Sequence, residues 1–238
     1  MKQDETICMP LPRISQFEDQ TVADQVFEAM RLRIHNLTLP PLTKISEAEV
    51  AAQMGASRQP VREAFKRLAK LGLLVIRPQS GTTVSLISEK AVVESLYIRT
   101  ALEEQVNRTA CTVLSDAGLN KLSGLLDQQQ VAVEKQERAL FHGLDDRFHR
   151  EICGLSGLGY VWDLIQEHKA HMDRIRMISL SPSWQKQAFE DHVAVFEALK
   201  ARDPDAAAQA IAAHLTTINR HIERVKAANH SWFLERDI

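Results

Sequence analysis

Four side chains in the second half of this 238-residue chain are of the kinds that hold divalent cations, and each falls on an apolar stripe. Asp145 and His149 are four apart, on one face of a helical pattern that also carries Phe141, Leu144, Phe148 and Ile152. His192 is in line with Phe189, Phe196 and Leu199, and His214 stands between Ile211 and Ile218, next to Leu215. One carboxylate and three imidazoles are thereby directed at one core. Buried polar groups without partners cost on the order of several kcal/mol. A shared cation would satisfy all four. Histidine and carboxylate suit zinc first, then manganese, nickel or iron, and the lack of thiolates argues against a closed structural zinc site. The competing reading of each histidine is a hydrogen-bonded core residue. Arg99 lies on the stripe Val92, Leu96, Val106 and Ala110, where it needs an anion: Glu103 one turn on, or the carboxylate of a bound effector.

A second set of chemistry-bearing residues lies near the N-terminus. Arg58, Arg62 and Lys66 are spaced by four and share one helical face, with Gln59 beside them and Val61, Phe65 and Leu68 opposite. Arginine can bond two acceptors of guanine at once, and glutamine or lysine can reach a base or a phosphate. Gly81, in Gln79-Ser80-Gly81-Thr82, leaves room for close approach to a minor groove. The competing reading is a solvated basic helix face.

The elements that must carry these residues follow from the pattern. Val22, Val26, Met30, Ile34 and Leu37 predict a helix closed by Pro40-Pro41. Ser46 and Glu49 read as a capping box opening a short helix that Gly55 ends. Ser57 then caps a helix running to about Leu71, with Pro60 tolerated in its first turn. Leu73–Ile76 and Thr82–Leu86 predict a hairpin. Helices are predicted at about 89–113, 116–137, 138–153, 159–179, 183–200 and 204–228, and no strand after Glu89. The fold class is mainly α: a winged helix-turn-helix, then an all-α bundle of about six helices. The expected divisions are a flexible tail at 1–20, the winged helix-turn-helix domain at 21–86, a helical domain at 87–230, to which the resemblance given below assigns effector binding and dimerisation, and a C-terminal tail at 231–238.

Charge and composition agree with this division. Net charge is −2, but residues 21–88 hold nine Lys/Arg against five Asp/Glu, and residues 89–238 hold 18 against 22. A basic section joined to an acidic one fits a DNA reader attached to a different module. The longest apolar run, Leu71–Ile76, is far too short to cross a membrane, and the N-terminus has no signal-peptide pattern. Cys8, Cys111 and Cys153 form neither a disulfide framework nor a CxxC pair, so the cytoplasm is the expected compartment.

Ser57-Arg58-Gln59-Pro60-Val61-Arg62-Glu63-Ala64, with Leu68, Leu71-Gly72-Leu73-Leu74 and Gly81-Thr82-Thr83-Val84, resembles the winged helix of GntR-type regulators. The resemblance implies DNA contacts at Arg58, Arg62 and the Gly81 wing tip. Ala48 departs from relatives that carry a DNA-contacting arginine there. Asp145-x-x-Phe148-His149, Asp191-His192, Ala213-His214-Leu215 and Tyr97–Glu103 resemble the FCD effector domain of the FadR-like branch. That implies a metal on the acidic and histidine positions, favours Arg99 as an effector anchor and argues against a fatty-acyl-CoA ligand. The expected function is a ligand-responsive repressor: a homodimer on near-palindromic operator DNA, controlled by a small carboxylate. The alternatives are a metal sensor without an organic effector, or a metalloenzyme built on the Asp/His₃ set. For the last, the sequence offers no separate nucleophile or general base.

Overall fold

The structure is a computed structural model in which residues 11–15, 20–179 and 181–234 are described. It divides into two compact units, Met1–Leu86 and Ile87–Ile238. Residues 1–10 and 16–19 of the expected N-terminal tail, with Cys8 among them, lie outside the described residues, as do 235–238 of the C-terminal one.

In the first unit, α1 (Val22–His35), α2 (Glu47–Met54) and α3 (Arg58–Lys70) surround a core of Val26, Met30, Ile34, Val50, Met54, Val61, Phe65 and Leu68. α1 stops short of Leu37, which adopts φ +63° beyond the Asn36 cap, and Val22 is half-exposed at the other end. Ser46 caps α2 by accepting from the Ala48 N–H; Ser57 occupies the cap position of α3 without a side-chain bond to the helix. Gly55 turns the chain between these helices at φ +68°, a conformation that disfavours a side chain. Leu74–Arg77 (β2) and Gly81–Val84 (β3) pair as the expected hairpin, with Leu74 opposite Val84 and Arg77 opposite Gly81. A further strand, Lys44–Ile45 (β1), adds antiparallel to β3 and gives the order β1-β3-β2. Two residues are too few for a period, so this strand leaves no trace in the sequence pattern. Within the stretch read as a tail, the Ile14 N–H donates to the Met54 carbonyl at 2.9 Å, and Ser15 exchanges two backbone hydrogen bonds with the Gln25 side chain.

The second unit is built on the 25-residue α4 (Glu89–Val113), capped by Ser88, whose hydroxyl accepts from the Ala91 N–H. Around it lie α5 (Asp116–Glu134), α6 (Arg138–Leu155), α7 (Gly159–His168), α8 (Ala170–Ser179), α9 (Pro182–Lys200), α10 (Pro204–Thr216) and α11 (Asn219–Ala228). Two of the predicted helices are therefore divided. The 159–179 helix breaks at Lys169, whose buried ammonium bonds Asp146 and Asp173 at 2.7–2.9 Å. The 204–228 helix breaks at Thr217–Ile218. Both interruptions occur without proline or glycine, which is why the sequence reads through them. Within 231–234, Phe233 is buried, Ile87 forms a parallel bridge with it, and the Leu234 N–H donates to the Ile87 carbonyl. No described helix is long and apolar enough to cross a membrane.

Candidate DNA-reading face and buried polar centre

α3 buries Val61, Ala64, Phe65 and Leu68 and turns Arg58, Gln59, Arg62 and Lys66 outward, all exposed. Its placement on α1 is fixed by Arg67, which bonds Asp24 at 2.6 Å and lies over the Phe27 ring at 4.2 Å. The Arg62 Nε–H donates to Glu47 Oε2 at 3.2 Å, across from α2. Gly81 starts β3 at the hairpin tip with φ +93°, exposed, and a side chain there would meet no neighbour within 4 Å. The helix, turn, helix and wing thus present a basic face whose inward side is entirely committed to the core.

In the second unit, ligand atoms of Asp145, His149, His192 and His214 all lie within 4.8 Å of one another, and all four residues are buried. α6 supplies the first two, α9 the third and α10 the fourth. His192 Nε2 is 3.2 Å from His214 Nε2 and 3.5 Å from Asp145 Oδ1; His149 Nε2 is 3.8 Å from Asp145 Oδ2. Ligands about 2.1 Å from a cation lie about 3.0 Å apart at a right angle and about 3.4 Å apart in a tetrahedron. Of the three separations, 3.2 and 3.5 Å match that range and 3.8 Å lies beyond it, while the four ligand atoms as a set span up to 4.8 Å. Two imidazoles are backed on their other nitrogen by a hydrogen-bond acceptor: His192 Nδ1 is 2.8 Å from Gln129 Oε1, and His214 Nδ1 is 3.4 Å from Asp191 Oδ2. Such backing places the proton on Nδ1 and leaves the Nε2 lone pair facing the centre. His149 Nδ1 is 2.6 Å from Glu103 Oε2 as an ion-pair neighbour, but it has no aligned hydrogen bond, and Asp145 Oδ2 and His149 Nε2 likewise have no hydrogen-bond partner among the described residues.

The electrostatics favour ligand-ready protonation states. Burial pushes the His192 imidazole well below its usual range, and the neighbouring His214 adds to this. Burial likewise lowers His214, against the raising effect of its Asp191 bond. Burial alone would raise Asp145, but Arg176, which makes a short ion pair with it, and the adjacent imidazoles outweigh that and hold it well below the carboxylate range. Glu103 follows the same balance: burial raises it, while Arg99 and His149 bring it down to about 2.

Arg99 is 1% exposed, and its Nε donates to Glu103 Oε1 at 2.6 Å. Its Nη2 has no hydrogen-bond partner among the described residues. It also lines a pocket of about 550 Å³, open mouth included, together with Arg176, Met172, Trp184, Asp191 and His214. The intramolecular partner and the pocket position are thus both realised. Trp184 lines the pocket and its ring meets that of His221, whereas Trp162 is buried with its ring parallel to His149. His168 is exposed; His171 is half-buried and accepts the Ser88 N–H at Nδ1. Sequence reasoning missed Arg176, Gln129 and the backing role of Asp191. The first two carry no motif, but Asp191 directly precedes His192, a signal that was available.

Comparison with known proteins matches residues 22–84 to the bacterial regulatory proteins of the gntR family and residues 94–217 to the FCD domain. The chain is 36% identical over 217 residues to the HTH-type transcriptional repressor RspR of Escherichia coli K12, covering 91% of this chain and 95% of that one. It is 32% identical over 198 residues to a probable D-xylose utilization operon transcriptional repressor of Paenarthrobacter nicotinovorans, covering 82% and 86%. Among solved structures, E. coli McbR/YncC has a similar fold, with TM-score 0.75 at 23% identity over 88% of this chain and 99% of that one. The winged helix at one end and the helical domain at the other make this chain a member of the GntR family with an FCD domain, a DNA-binding transcriptional regulator and not an enzyme.

Proposed function

We propose that this regulator is a ligand-responsive repressor, working in the cytoplasm as a homodimer, whose FCD domain holds one divalent cation and a small carboxylate effector. Asp145, His149, His192 and His214 are the cation ligands, with zinc the first choice ahead of manganese, nickel and iron. The observation that carries this reading is the convergence of ligand atoms from three histidines and a carboxylate within 4.8 Å, with His192 and His214 each hydrogen-bonded on Nδ1 and Glu103 beside His149 Nδ1. The bound cation supplies a Lewis-acid anchor for the effector. Arg99, with Nη2 left over from its Glu103 pair and a place in the pocket wall, orients the effector carboxylate. The pocket and this leftover donor favour an organic effector over metal sensing alone. On the DNA side, Arg58, Gln59, Arg62 and Lys66 enter the major groove, and the Gly81 wing tip approaches the minor groove. One helix of this kind reads only a few base pairs, so two copies on a near-palindromic operator are required.

The test is a His192→Ala/His214→Ala variant assayed for metal by elemental analysis and for thermal shift with a carboxylic-acid library. Wild-type protein is expected to retain about one metal per chain and to respond to at least one acid. The folded variant is expected to lose both while keeping DNA binding. Full metal content in the folded variant would sink the ligand assignment, and an acid response in metal-free protein would sink the anchoring role.

A further inference from the structure

We propose that Glu47 is a positioning residue for base recognition: it holds Arg62 by Nε so that both terminal nitrogens are presented end-on to guanine. This rests on the reading of Arg62 as a DNA-contacting residue. The guanidinium has two usable donor edges, one made of Nε and one Nη, the other of the two Nη atoms. Glu47 Oε2 takes the Nε–H at 3.2 Å, which removes the first edge and leaves the second. The Arg62 side chain is 53% exposed while Glu47 is 28% exposed, so the carboxylate is set back and the arginine fork stands forward.

The placement of Glu47 is not left to a mobile surface chain. It is the first residue of α2, directly after the Ser46 cap, and Val50, Ala51 and Met54 anchor that helix in the core. The α2–α3 turn is closed by the Ala56 N–H bond to the Ala51 carbonyl at 2.9 Å and by left-handed Gly55. Both ends of the pair are therefore on elements with fixed spacing. Among the described residues neither Arg58 nor Lys66 forms an ion pair, so the carboxylate selects Arg62 from the basic face.

An exposed pair of this kind contributes little to stability. Next to phosphates, a carboxylate also weakens non-specific attraction. Its benefit is orientation: ordering a long side chain in advance removes a cost that would otherwise fall on the complex. Two effects of opposite sign follow. Removing the carboxylate lowers discrimination for guanine and raises affinity for unrelated DNA.

The probe is the duplex that wild-type protein selects from a randomised pool, together with versions carrying 7-deazaguanine at single positions and an unrelated duplex of equal length. Fluorescence anisotropy gives Kd for wild type, Glu47→Ala, Glu47→Gln, Arg62→Ala and the Glu47→Ala/Arg62→Ala double variant. Arg62→Ala is expected to erase the preference for one particular guanine. Glu47→Ala is expected to reduce preference at that same guanine by about three- to tenfold, as loss of pre-ordering of one side chain implies, and to tighten binding to the unrelated duplex. Glu47→Gln, which keeps an acceptor, should fall between, and the double variant should discriminate no worse than Arg62→Ala. Glu47→Ala keeping full discrimination at the guanine that Arg62→Ala identifies would overturn the proposal. So would an equal loss on every duplex, the mark of a purely structural role. If Arg62→Ala alters no guanine preference, the DNA-reading assignment of Arg62 itself falls.

Discussion

Glu103 joins two halves of the buried network, Arg99 and His149. It is 2% exposed, its Oε1 accepts from Arg99 at 2.6 Å and its Oε2 lies 2.6 Å from His149. Glu103→Gln keeps the shape and removes the charge, leaving the 1%-exposed Arg99 guanidinium without a counter-ion. Two unit charges about 4 Å apart interact by about 4 kcal/mol at an effective dielectric of about 20. Breaking one partner of a buried pair costs about 3–5 kcal/mol. The expected loss is therefore about 3–5 kcal/mol at pH 7. The assay is urea unfolding followed by tryptophan fluorescence, with chelator present so that metal binding adds no stability. Trp162, Trp184 and Trp232 all follow Leu86, so the signal reports the helical unit alone. Removing both charges, as in Arg99→Met/Glu103→Leu, should recover about half of that loss or more, because an apolar pair carries no desolvation cost; the remainder, about 1–3 kcal/mol, reflects the acceptor that buried His149 loses. A single variant within about 1 kcal/mol of wild type, or a double variant as unstable as the single, would refute the reasoning.

Three further outcomes follow from particular contacts. Gln129→Leu removes the acceptor behind His192 and should weaken zinc binding about 10–100-fold, measured by competition with a chromogenic chelator; unchanged affinity would show that Gln129 does not orient the ring. Burial, and then the Arg174 charge, lower His171 to about 4 from its usual 6.5. The unfolded chain therefore binds a proton that the folded one does not, and stability falls by about 1.4 kcal/mol per pH unit as pH drops from 6.5 to 4. His171→Gln, which can still accept from Ser88, should flatten that limb in urea titrations at pH 7, 5.5 and 4.5, and parallel slopes would count against it. Gly55→Ala meets no neighbour within 4 Å but must hold φ +68°, so it should cost the first unit about 1–2 kcal/mol. Far-UV circular dichroism should detect that loss while the tryptophan transition stays in place; a shift of the tryptophan transition instead would contradict the assignment of Gly55 to the first unit.

Much of this protein is legible locally. The order of three helices and a hairpin, the cap at Ser46 and the turn at Gly55 depend on residues at most a few positions apart. Helical periodicity likewise put Asp145, His149, His192 and His214 on apolar faces, because a period of 3.6 fixes which side chains point inward. What periodicity cannot fix is which inward residues meet. Gln129 reaches His192 across 63 positions, and Arg176 reaches Asp145 across 31; their types fit solvated helix faces equally well. The breaks at Lys169 and Thr217 are also tertiary decisions. At the first, a buried ammonium finds Asp146 on another helix as well as Asp173 on its own, and no local rule of propensity or capping contains that partner. Arg99 shows the boundary most clearly. Its place on an apolar stripe allows two anions, Glu103 or a bound carboxylate. Only packing puts the Glu103 carboxylate against one edge of the guanidinium while leaving Nη2 unpaired beside a pocket.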